Sequence, residues 1–242
     1  MVTFSVVIPT RNEIRNVAFL KPYLELFDQI IFVDGNSIDG TQKEIHALFP
    51  DATVLSQGEY RGKGSAIILG LMEVRSDYVF ILDADAPVSL IEISNAQTIL
   101  KMNPGIDLLK TSRHLEFGGS EDLTSIRKFG AKFFAALTRV LFRVSWTEMC
   151  YGFWALKSEN IHKLNIGALL NTTTGFWPFK RVPLAHSFEF DQFLFLKALK
   201  SKLVILETPS FELIRKNGQS NLFAPLDGMR TLVVILKERF SK

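Results

Sequence analysis

The sequence predicts an α/β fold in which helices flank a mostly parallel central sheet. Two observations lead to this prediction. Short runs rich in Val, Ile and Phe stop at turn residues, as buried parallel strands do. Helix-like segments separate these runs in the first half of the chain, which is the order of a doubly wound sheet. The 242 residues suffice for one such domain with a full core.

The individual elements follow from the apolar pattern. Strands are predicted at residues 4–8, 29–33, 78–82, 151–157 and 202–211. Helices are predicted at residues 13–27, 64–75, 128–146, 190–200 and 225–240. The segment 165–187 contains Gly175, Pro178 and Pro183, and it is predicted to be a long loop.

Composition argues against several classes of function. The net charge of +3 is too small to indicate a nucleic-acid partner. Cys150 is the single cysteine, so neither a disulfide framework nor a cysteine zinc site is expected. No apolar run approaches the ~20 residues that cross a bilayer, and the first residues lack a signal-peptide pattern. We therefore expect a cytoplasmic protein.

Polar residues follow three of the predicted strands, where sheets of this kind bind ligands. They are PTRNE at 9–13, DGNS at 34–37 and DAD at 83–85. Asp83 and Asp85 point to the same side of an extended chain and repel each other unless a cation intervenes. Mg²⁺ or Mn²⁺, completed by substrate phosphates, would satisfy them. The alternative is a pair of turn aspartates that cap the next helix.

Two further motifs on the same predicted edge suit a nucleotide. Asp34 ends a neighbouring strand, as expected of an acid that contacts a ribose or base, although a plain Asp-Gly turn has the same sequence. RGKGSA at 61–66 places Arg61 and Lys63 between glycines at a predicted helix start, which suits a diphosphate. A flexible basic loop is the alternative.

Six segments together carry a more specific resemblance: VVIPTRNE, IIFVDGNSIDGT, RGKGSA, YVFILDADAP, YGFWALK and ETPSFELIRKNGQSNL. Their order, over nearly the whole chain, resembles that of family 2 glycosyltransferases, most closely the dolichyl-phosphate-mannose-synthase-like branch. The resemblance implies a single GT-A (Rossmann-like) domain over residues 1–242. It also implies inverting transfer from a UDP- or GDP-linked sugar with Mg²⁺ or Mn²⁺.

The resemblance assigns roles to individual residues. Residues 1–112 would bind the nucleotide-sugar, through Pro9, Thr10, Glu13, Asp34, Lys63 and Asp83. Asp83 and Asp85 would hold the metal. Residues 113–242 would bind the acceptor. Three positions depart from the family pattern: Pro87 stands where a glutamine ligand is frequent, Glu148 where aspartate is usual, and Asp191 where glutamate is usual.

The identity of the acceptor decides the remaining chemistry. Asp85, through the metal, and Lys63 would relieve the charge of the leaving diphosphate. A sugar hydroxyl would need a carboxylate base, for which Asp191 is the first candidate and Glu148 the second. A lipid phosphate needs no strong base. In that case the resemblance implies an acceptor site made by Arg113, Arg127, Arg215 and Ser220.

The predicted helix 128–146 suggests contact with a membrane. On a helical wheel one arc is apolar and the opposite side is basic. The apolar arc holds Phe129, Phe133, Phe134, Leu137, Val140, Leu141 and Val144, and the basic side holds Lys128, Lys132, Arg139 and Arg143. A helix in the bilayer interface has this pattern, as does one packed on a core. We expect peripheral contact with the cytoplasmic face of a membrane.

Two other functions remain open at this stage. One is a sugar-1-phosphate nucleotidyltransferase, although PTRNEIRN lacks the glycine-rich signature usual there. The other is a non-catalytic sugar-nucleotide-binding protein, against which the intact Asp83/Asp85 pair argues. The sequence does not fix the sugar, the base, the acceptor or the oligomeric state.

Overall fold

The computed structural model describes residues 1–171, 185–218 and 223–241. Its strands are β1 (Phe4–Thr10), β2 (Gln29–Asp34), β3 (Thr53–Ser56), β4 (Tyr78–Ile81), β5 (Leu108–Ser112), β6 (Gly119–Ser120), β7 (Trp154–Lys157), β8 (Ile205–Pro209) and β9 (Phe211–Glu212). Its α-helices are α1 (Ile14–Val17), α2 (Lys21–Leu24), α3 (Thr41–Leu48), α4 (Lys63–Leu71), α5 (Leu90–Met102), α6 (Ser125–Phe142), α7 (Glu159–Lys163), α8 (Phe190–Lys200) and α9 (Ala224–Phe240). Short 3-10 turns occupy Ala18–Leu20 and Ile166–Asn171.

The central sheet has seven strands in the order β3-β2-β1-β4-β7-β5-β8. Strand β7 is antiparallel to both β4 and β5, and the other pairs are parallel. The carboxyl ends of β1, β2, β4 and β5 therefore share one edge of the sheet. Because β7 runs the other way, the residues just before it, 147–153, lie at that same edge. The predicted mostly parallel α/β fold is confirmed.

Side chains of the strands alternate between two cores, one on each face of the sheet. Val7, Ile31, Val79 and Trp154 face a core that includes α4 and α8. Phe4, Phe32 and Phe80 face the other core, closed by residues of α2, α3 and α5. The sheet is therefore buried on both faces, which explains the nearly continuous apolar runs of its central strands.

Local chemistry sets several helix ends. A capping box between Ser89 and Glu92 begins α5. The side chain of Thr124 accepts a hydrogen bond from the Arg127 amide at the start of α6, and Arg143 ends that helix in the left-handed region (φ 58°). Pro22 lies in the first turn of α2, where its missing N–H costs no hydrogen bond.

Several predicted boundaries were wrong. The helix predicted at 13–27 is broken into α1, a 3-10 turn and α2, and that predicted at 64–75 ends at Leu71. The helix predicted at 128–146 begins at Ser125 and ends at Phe142, and the strand predicted at 151–157 begins at Trp154. The strand predicted at 202–211 is confined to Ile205–Pro209, with Phe211–Glu212 in the small sheet.

Other parts of the chain add to the predicted elements. The predicted loop at 165–187 contains the 3-10 turn at Ile166–Asn171, and its residues 172–184 lie outside the described residues. Helices α3 and α5 and strands β3 and β5 have no counterpart among the predicted segments, although they complete the predicted alternation of strands and helices.

Candidate active site

A cavity of about 470 Å³ opens at the carboxyl edge of the sheet. Charged side chains line its sheet side, among them Lys63, Asp83, Asp85 and Asp191. Apolar residues of α6 and the first turns of α9 line its other side, among them Ile126, Phe129, Phe134 and Pro225. The cavity is therefore polar at one end and apolar at the other.

Asp83 and Asp85 follow β4, and each has a cation as its partner. The Nζ atom of Lys63 lies 2.6 Å from Asp83 Oδ1. The Nη1 atom of Arg215 lies 3.4 Å from Asp85 Oδ2. Burial and the neighbouring Asp83 raise the pKa of Asp85 to about 6, although Arg215 and Lys63 act to lower it. Negative charge is thus in excess around Asp85.

Lys63 lies among three aspartates. Burial alone would lower its pKa, but Asp83, Asp191 and Asp85 raise it overall, so the ammonium stays charged. Gly152 leaves the space that the ammonium occupies: a methyl group added there would lie 2.9 Å from Lys63 Nζ. The glycine before β7 thus helps to place this cation between the carboxylates.

Asp191 lies in the first turn of α8 and lines the cavity. Its Oδ1 accepts a 2.8 Å hydrogen bond from the indole N–H of Trp154, the first residue of β7. Burial raises the pKa of Asp191 to about 6, with Lys63 and the Trp154 hydrogen bond acting in the opposite direction. The carboxylate is thereby held in one orientation beside Lys63.

Glu13 adds a fourth carboxylate. Burial raises its pKa, the hydrogen bond from Asn16 lowers it, and the charge of Asp83 raises it again. We call this group the acidic cluster; it has four carboxylates and two cations, namely Glu13, Asp83, Asp85 and Asp191 with Lys63 and Arg215. Such an imbalance of charge favours the binding of a further cation.

The oxygen-only donors of the acidic cluster suit Mg²⁺ or Mn²⁺, which take few protein carboxylates and complete their shells with water or phosphate. Among residues 1–171, 185–218 and 223–241, no group of three or more His, Cys, Asp or Glu side chains forms a complete metal cage. Asp83 and Asp85 supply two carboxylates of the kind that such ions take.

The predicted nucleoside contacts are adjacent in the structure. Thr10 and Asp34 are direct partners in the pairing of β1 with β2, and Pro9 precedes Thr10. Both carboxylate oxygens of Asp34 accept hydrogen bonds from Ser37, one from its amide (3.0 Å) and one from its hydroxyl (2.5 Å). Asp34 is buried and holds its own turn, and it is not among the residues that line the cavity.

The loops after β1 and β2 are joined by side-chain hydrogen bonds. The Asn12 amide donates to Ser37 Oγ (2.8 Å), the Ile38 amide to Asn12 Oδ1 (3.0 Å), and the Glu13 amide to Thr41 Oγ1 (2.8 Å). The segments TRNE and DGNSIDGT thus hold each other in place, which fixes Glu13 relative to Asp34.

The glycines of RGKGSA have a packing role. A Cβ atom added at Gly62, where φ is +92°, would lie 2.2 Å from the His186 carbonyl oxygen. One at Gly64 would lie 2.4 Å from the Ala185 carbonyl oxygen. The Ser65 amide already donates to that His186 carbonyl (3.1 Å). The glycines therefore dock the start of α4 against residues 185–190, and Lys63 is the part of this motif that reaches the cavity.

A second charged group, which we call the buried cluster, consists of Arg113, Glu148 and Glu212. Arg113 contacts Glu148 Oε2 (2.9 Å) and Glu212 Oε2 (3.0 Å), and it stacks on the ring of Tyr151. Burial alone would raise the pKa of Glu148, but Arg113 and the Cys150 amide bring it below its usual value. Hydrogen bonds from Arg113 and from backbone amides thus stabilise the Glu148 carboxylate within the protein.

The remaining predicted acceptor residues are grouped at the start of α6. Arg127 Nη1 and Arg215 Nη2 lie 3.2 Å and 3.3 Å from the same atom, Asp122 Oδ2. All three side chains line the cavity. Arg113 also lines it but belongs to the buried cluster. Ser220 lies outside the described residues.

Sequence reasoning did not identify Asp122, Glu212 or Tyr151. Asp122 is five residues before Arg127 and close to Thr124, whose side chain caps α6, and this proximity was the available signal. Glu212 lies in β9 and Tyr151 just before β7, and they meet Arg113 only because the strands β8 and β7 both adjoin β5. No local pattern reports such a contact.

Helix α6 has three faces. Its buried face holds Ala131, Ala135 and Thr138, and Phe134, Leu137 and Leu141 pack against the core beside them. Ile126 (76% exposed), Phe129 (75%) and Val140 (77%) form a separate apolar stripe with Phe133. Lys128, Lys132, Arg139 and Arg143 are exposed between the two apolar faces. The predicted apolar arc is therefore divided between the core and the surface.

Across the described part of the chain, we find no helix with the length and apolar content required to cross a membrane.

Comparisons with known proteins agree with the resemblance seen in the sequence. The family model described as "Glycosyl transferase family 2" matches residues 5–101. Residues 5–101 are thus similar to this family. The matched range includes residues of strands β1 to β4, together with Glu13, Asp34, Lys63, Asp83 and Asp85. The predicted resemblance to family 2 glycosyltransferases is confirmed.

Two yeast (Saccharomyces cerevisiae) proteins are similar in sequence. The "Dolichol-phosphate mannosyltransferase" is 30% identical over 95 residues, which are 35% of this chain and 36% of that protein. The "Dolichyl-phosphate beta-glucosyltransferase" is 24% identical over 234 residues, which are 85% of this chain and 65% of that protein. The chain thus spans about a third of the length of the mannosyltransferase and about two thirds of the length of the glucosyltransferase.

Solved structures agree with the fold over nearly the whole chain. Glucosyl-3-phosphoglycerate synthase from Mycobacterium tuberculosis, in complex with Mn²⁺, UDP and phosphoglyceric acid, has a TM-score of 0.69 at 20% identity, covering 99% of this chain and 79% of that one. Its complex with Mg²⁺ and UDP has a TM-score of 0.68 at 20% identity, and the match covers 98% of this chain and 79% of that one. This likeness establishes the GT-A fold.

Proposed function

We propose that this protein is an inverting glycosyltransferase that moves a sugar from a UDP- or GDP-linked donor to a lipid phosphate with the help of Mg²⁺ or Mn²⁺. The observation that carries the proposal is a cavity whose sheet side is charged and whose helix side is mainly apolar. The acidic cluster at one end suits a metal-bound diphosphate. The apolar wall and two arginines at the other end suit an isoprenoid-like chain with a phosphate head.

The comparisons support both ends of this proposal. The solved neighbours contain UDP with Mn²⁺ or Mg²⁺, and one of them also holds a phosphate-bearing acid. The yeast relatives are named for transfer involving dolichyl phosphate. We assign donor binding to residues 1–112 and acceptor binding mainly to residues 113–242, with Asp191 and Arg215 reaching back to the acidic cluster.

On the donor side, Pro9, Thr10 and Asp34 would contact the nucleoside at the ends of β1 and β2. Glu13 would contact the nucleotide or its metal from the adjacent loop. Asp83 and Asp85 would hold the metal, which when bound supplies Lewis-acid stabilisation of the leaving diphosphate. Lys63 would contribute a second positive charge toward that diphosphate.

For the transfer, a phosphate acceptor is already ionised and needs no strong base. Asp191 would then position Lys63 and face the sugar, with its orientation fixed by Trp154. With a hydroxyl acceptor the same carboxylate, whose pKa is about 6, would serve as the base. Glu148 is less suited to that role, because Arg113 and two backbone amides engage it away from the cavity lining.

On the acceptor side, Arg127 and Arg215 would bind the phosphate, and the apolar residues of α6 and α9 would contact the chain that follows it. Arg113 would shape this site without supplying a free charge, because two carboxylates already neutralise it. Ser220 keeps its proposed acceptor role from the sequence resemblance alone.

A transfer assay tests the proposal. UDP- and GDP-linked hexoses would be offered with Mg²⁺ or Mn²⁺ to short polyprenyl phosphates and, separately, to soluble saccharides. We expect sugar transfer to the lipid phosphate that excess chelator abolishes. Full activity in chelator would contradict the metal assignment. Release of diphosphate from a sugar 1-phosphate and a nucleoside triphosphate would instead indicate a nucleotidyltransferase, and binding without turnover a non-catalytic protein.

We also propose that the exposed stripe of α6 rests on an anionic membrane surface, which would present the lipid phosphate to the cavity. Ile126 and Phe129 both belong to that stripe and line the cavity, and Lys128 and Lys132 lie beside them. Exposed aromatic residues next to basic ones are typical of interfacial helices. The expected cytoplasmic side of the membrane remains a prediction.

Flotation with anionic liposomes tests this contact. Reversing Lys132 and Arg139 to Glu should weaken binding visibly, since each cation near an anionic surface contributes ~1 kcal/mol. Lys43→Glu/Lys101→Glu, which makes the same change of charge on α3 and α5, is the matched control and should bind like the wild type. If wild type stays in the soluble fraction at low salt and glycosylates a soluble saccharide instead, both the contact and the lipid acceptor are wrong.

A further inference from the structure

Two guanidinium groups converge on one oxygen atom at the mouth of the cavity. Arg127 Nη1 and Arg215 Nη2 both donate to Asp122 Oδ2, over 3.2 Å and 3.3 Å. A carboxylate oxygen between two arginines has the same surroundings as a bound phosphate oxygen. Among the residues lining the cavity, Asp122 thus occupies the position that an anionic ligand of this arginine pair would take.

The bonds from Arg127 and Arg215 to Asp122 are suited to replacement of the carboxylate by another anion. Charge-assisted N–H···O bonds are commonly 2.7–2.9 Å long, and both bonds to Asp122 are longer than that. Asp122 stands in the short connection between β6 and α6, and its side chain is partly exposed. The buried cluster next to it is different, because Glu148 and Glu212 hold Arg113 at 2.9 Å and 3.0 Å with hardly any exposure.

We propose that Asp122 is a placeholder for the acceptor phosphate: it holds Arg127 and Arg215 together in the empty site and is displaced when the phosphate enters. This proposal rests on the proposed function, in which these arginines bind the acceptor. Asp122 is a positioning residue here and does not touch the reacting atoms. Its carboxylate competes with the phosphate for the same donors and repels it, so it lowers the affinity for the acceptor.

The placeholder also connects the two ends of the cavity. Arg215 contacts Asp122 through Nη2 and Asp85 through Nη1. A phosphate that replaces Asp122 would therefore be held by an arginine that also contacts the acidic cluster. This arrangement keeps a positive charge between the acceptor phosphate and the carboxylates on which the donor depends.

Binding measurements test the placeholder without turnover. Inorganic phosphate and geranyl phosphate would be titrated calorimetrically into wild type, Asp122→Asn and Asp122→Ala, with no donor present. Loss of one competing, partly exposed carboxylate should tighten binding roughly fivefold in both variants, which corresponds to about 1 kcal/mol. Geranyl phosphate should bind more tightly than inorganic phosphate if the apolar wall receives the chain.

Glu121→Gln is the matched control. It removes the same charge one residue away, from a side chain that accepts a hydrogen bond from the Ile214 amide and contacts neither arginine. We expect its affinity to stay within about twofold of wild type, as for an exposed charge with no direct partner in the site. An equal gain in Glu121→Gln would show a general charge effect and overturn the placeholder.

The outcomes separate this proposal from the proposed function. Arg127→Gln and Arg215→Gln should each weaken phosphate binding. If they do, but both Asp122 variants bind phosphate equally or more weakly than wild type, Asp122 only supports the arginines and the placeholder is wrong. If the arginine variants bind like wild type, the acceptor site itself is misplaced. In turnover, Asp122→Asn should lower the acceptor KM without raising kcat.

Discussion

The acidic cluster and the buried cluster lie at the same edge of the sheet, and each has two carboxylates for every cation, but they differ in how well their carboxylates are stabilised. In the buried cluster Arg113 forms ion pairs with Glu148 and Glu212, and all three side chains are almost fully buried. In the acidic cluster four carboxylates meet two cations, and the pKa values of Asp85 and Asp191 are raised to about 6 by burial. In the buried cluster, Arg113 and backbone amides bring the pKa of Glu148 below its usual value, whereas the carboxylates of the acidic cluster would be stabilised by a further cation.

This difference separates structural from functional roles among residues of the same type. Removing a buried carboxylate that is fully hydrogen-bonded leaves its donors without a partner and costs stability. Removing a carboxylate whose pKa is raised by burial and by like charges relieves that strain, so it costs function and little stability. The two clusters should therefore respond in opposite ways to the loss of one carboxylate.

The largest expected effect is the loss of sugar transfer when a carboxylate of the acidic cluster is removed. Asp85→Asn should lower sugar transfer by ~10³-fold or more, because the metal that relieves the leaving charge loses a ligand. Its urea midpoint should equal or exceed that of wild type. A combination of retained activity and lowered stability would mean that Asp85 belongs with the structural carboxylates.

The matched change in the buried cluster is Glu148→Gln. It removes a buried carboxylate that accepts hydrogen bonds from Arg113 and from two backbone amides, so we expect a loss of about 3 kcal/mol in the free energy of unfolding by urea titration. Glu59→Gln, at an exposed glutamate, is the control and should change stability by less than ~0.5 kcal/mol. A stable but inactive Glu148→Gln protein would move the catalytic assignment to Glu148.

A smaller effect is expected for Asp191→Asn. With a phosphate acceptor that needs no base, turnover should fall only ~10-fold, through misplacement of Lys63, and nucleotide affinity should change little. A fall of ~10²-fold or more would instead show that Asp191 takes a proton from a hydroxyl acceptor. This variant therefore distinguishes the two acceptor classes.

The placement of the predicted donor residues could be inferred from the sequence because their positions are set locally. Asp34, Asp83 and Asp85 each follow directly from a strand that the apolar pattern identifies, so their common edge could be inferred. The α/β fold and the family resemblance followed from the same motifs. Lys63 does lie at this edge, and the glycines on either side of it pack against residues 185–190.

The acceptor side depends on contacts between distant segments, which a single sequence does not reveal. Arg113 was predicted as a phosphate ligand, but its partners Glu148 and Glu212 are brought to it by β7 and β8. Asp122 was missed for the same reason, since Arg215 is 93 residues away. The arc of helix 128–146 was read as one surface, whereas the packing of α6 divides it into a core face and an exposed stripe.

Binding of a divalent cation tests the central claim, that the acidic cluster is a metal site for a nucleotide-sugar. Thermal unfolding would be followed for wild type, Asp85→Asn and Glu59→Gln with Mn²⁺, first alone and then with UDP or GDP. The account predicts that Mn²⁺ with the nucleotide raises the Tm of wild type and Glu59→Gln by several degrees, as for a ligand well above its Kd, and leaves Asp85→Asn unchanged. An equal rise in Asp85→Asn, or no rise in wild type with either nucleotide, would contradict it.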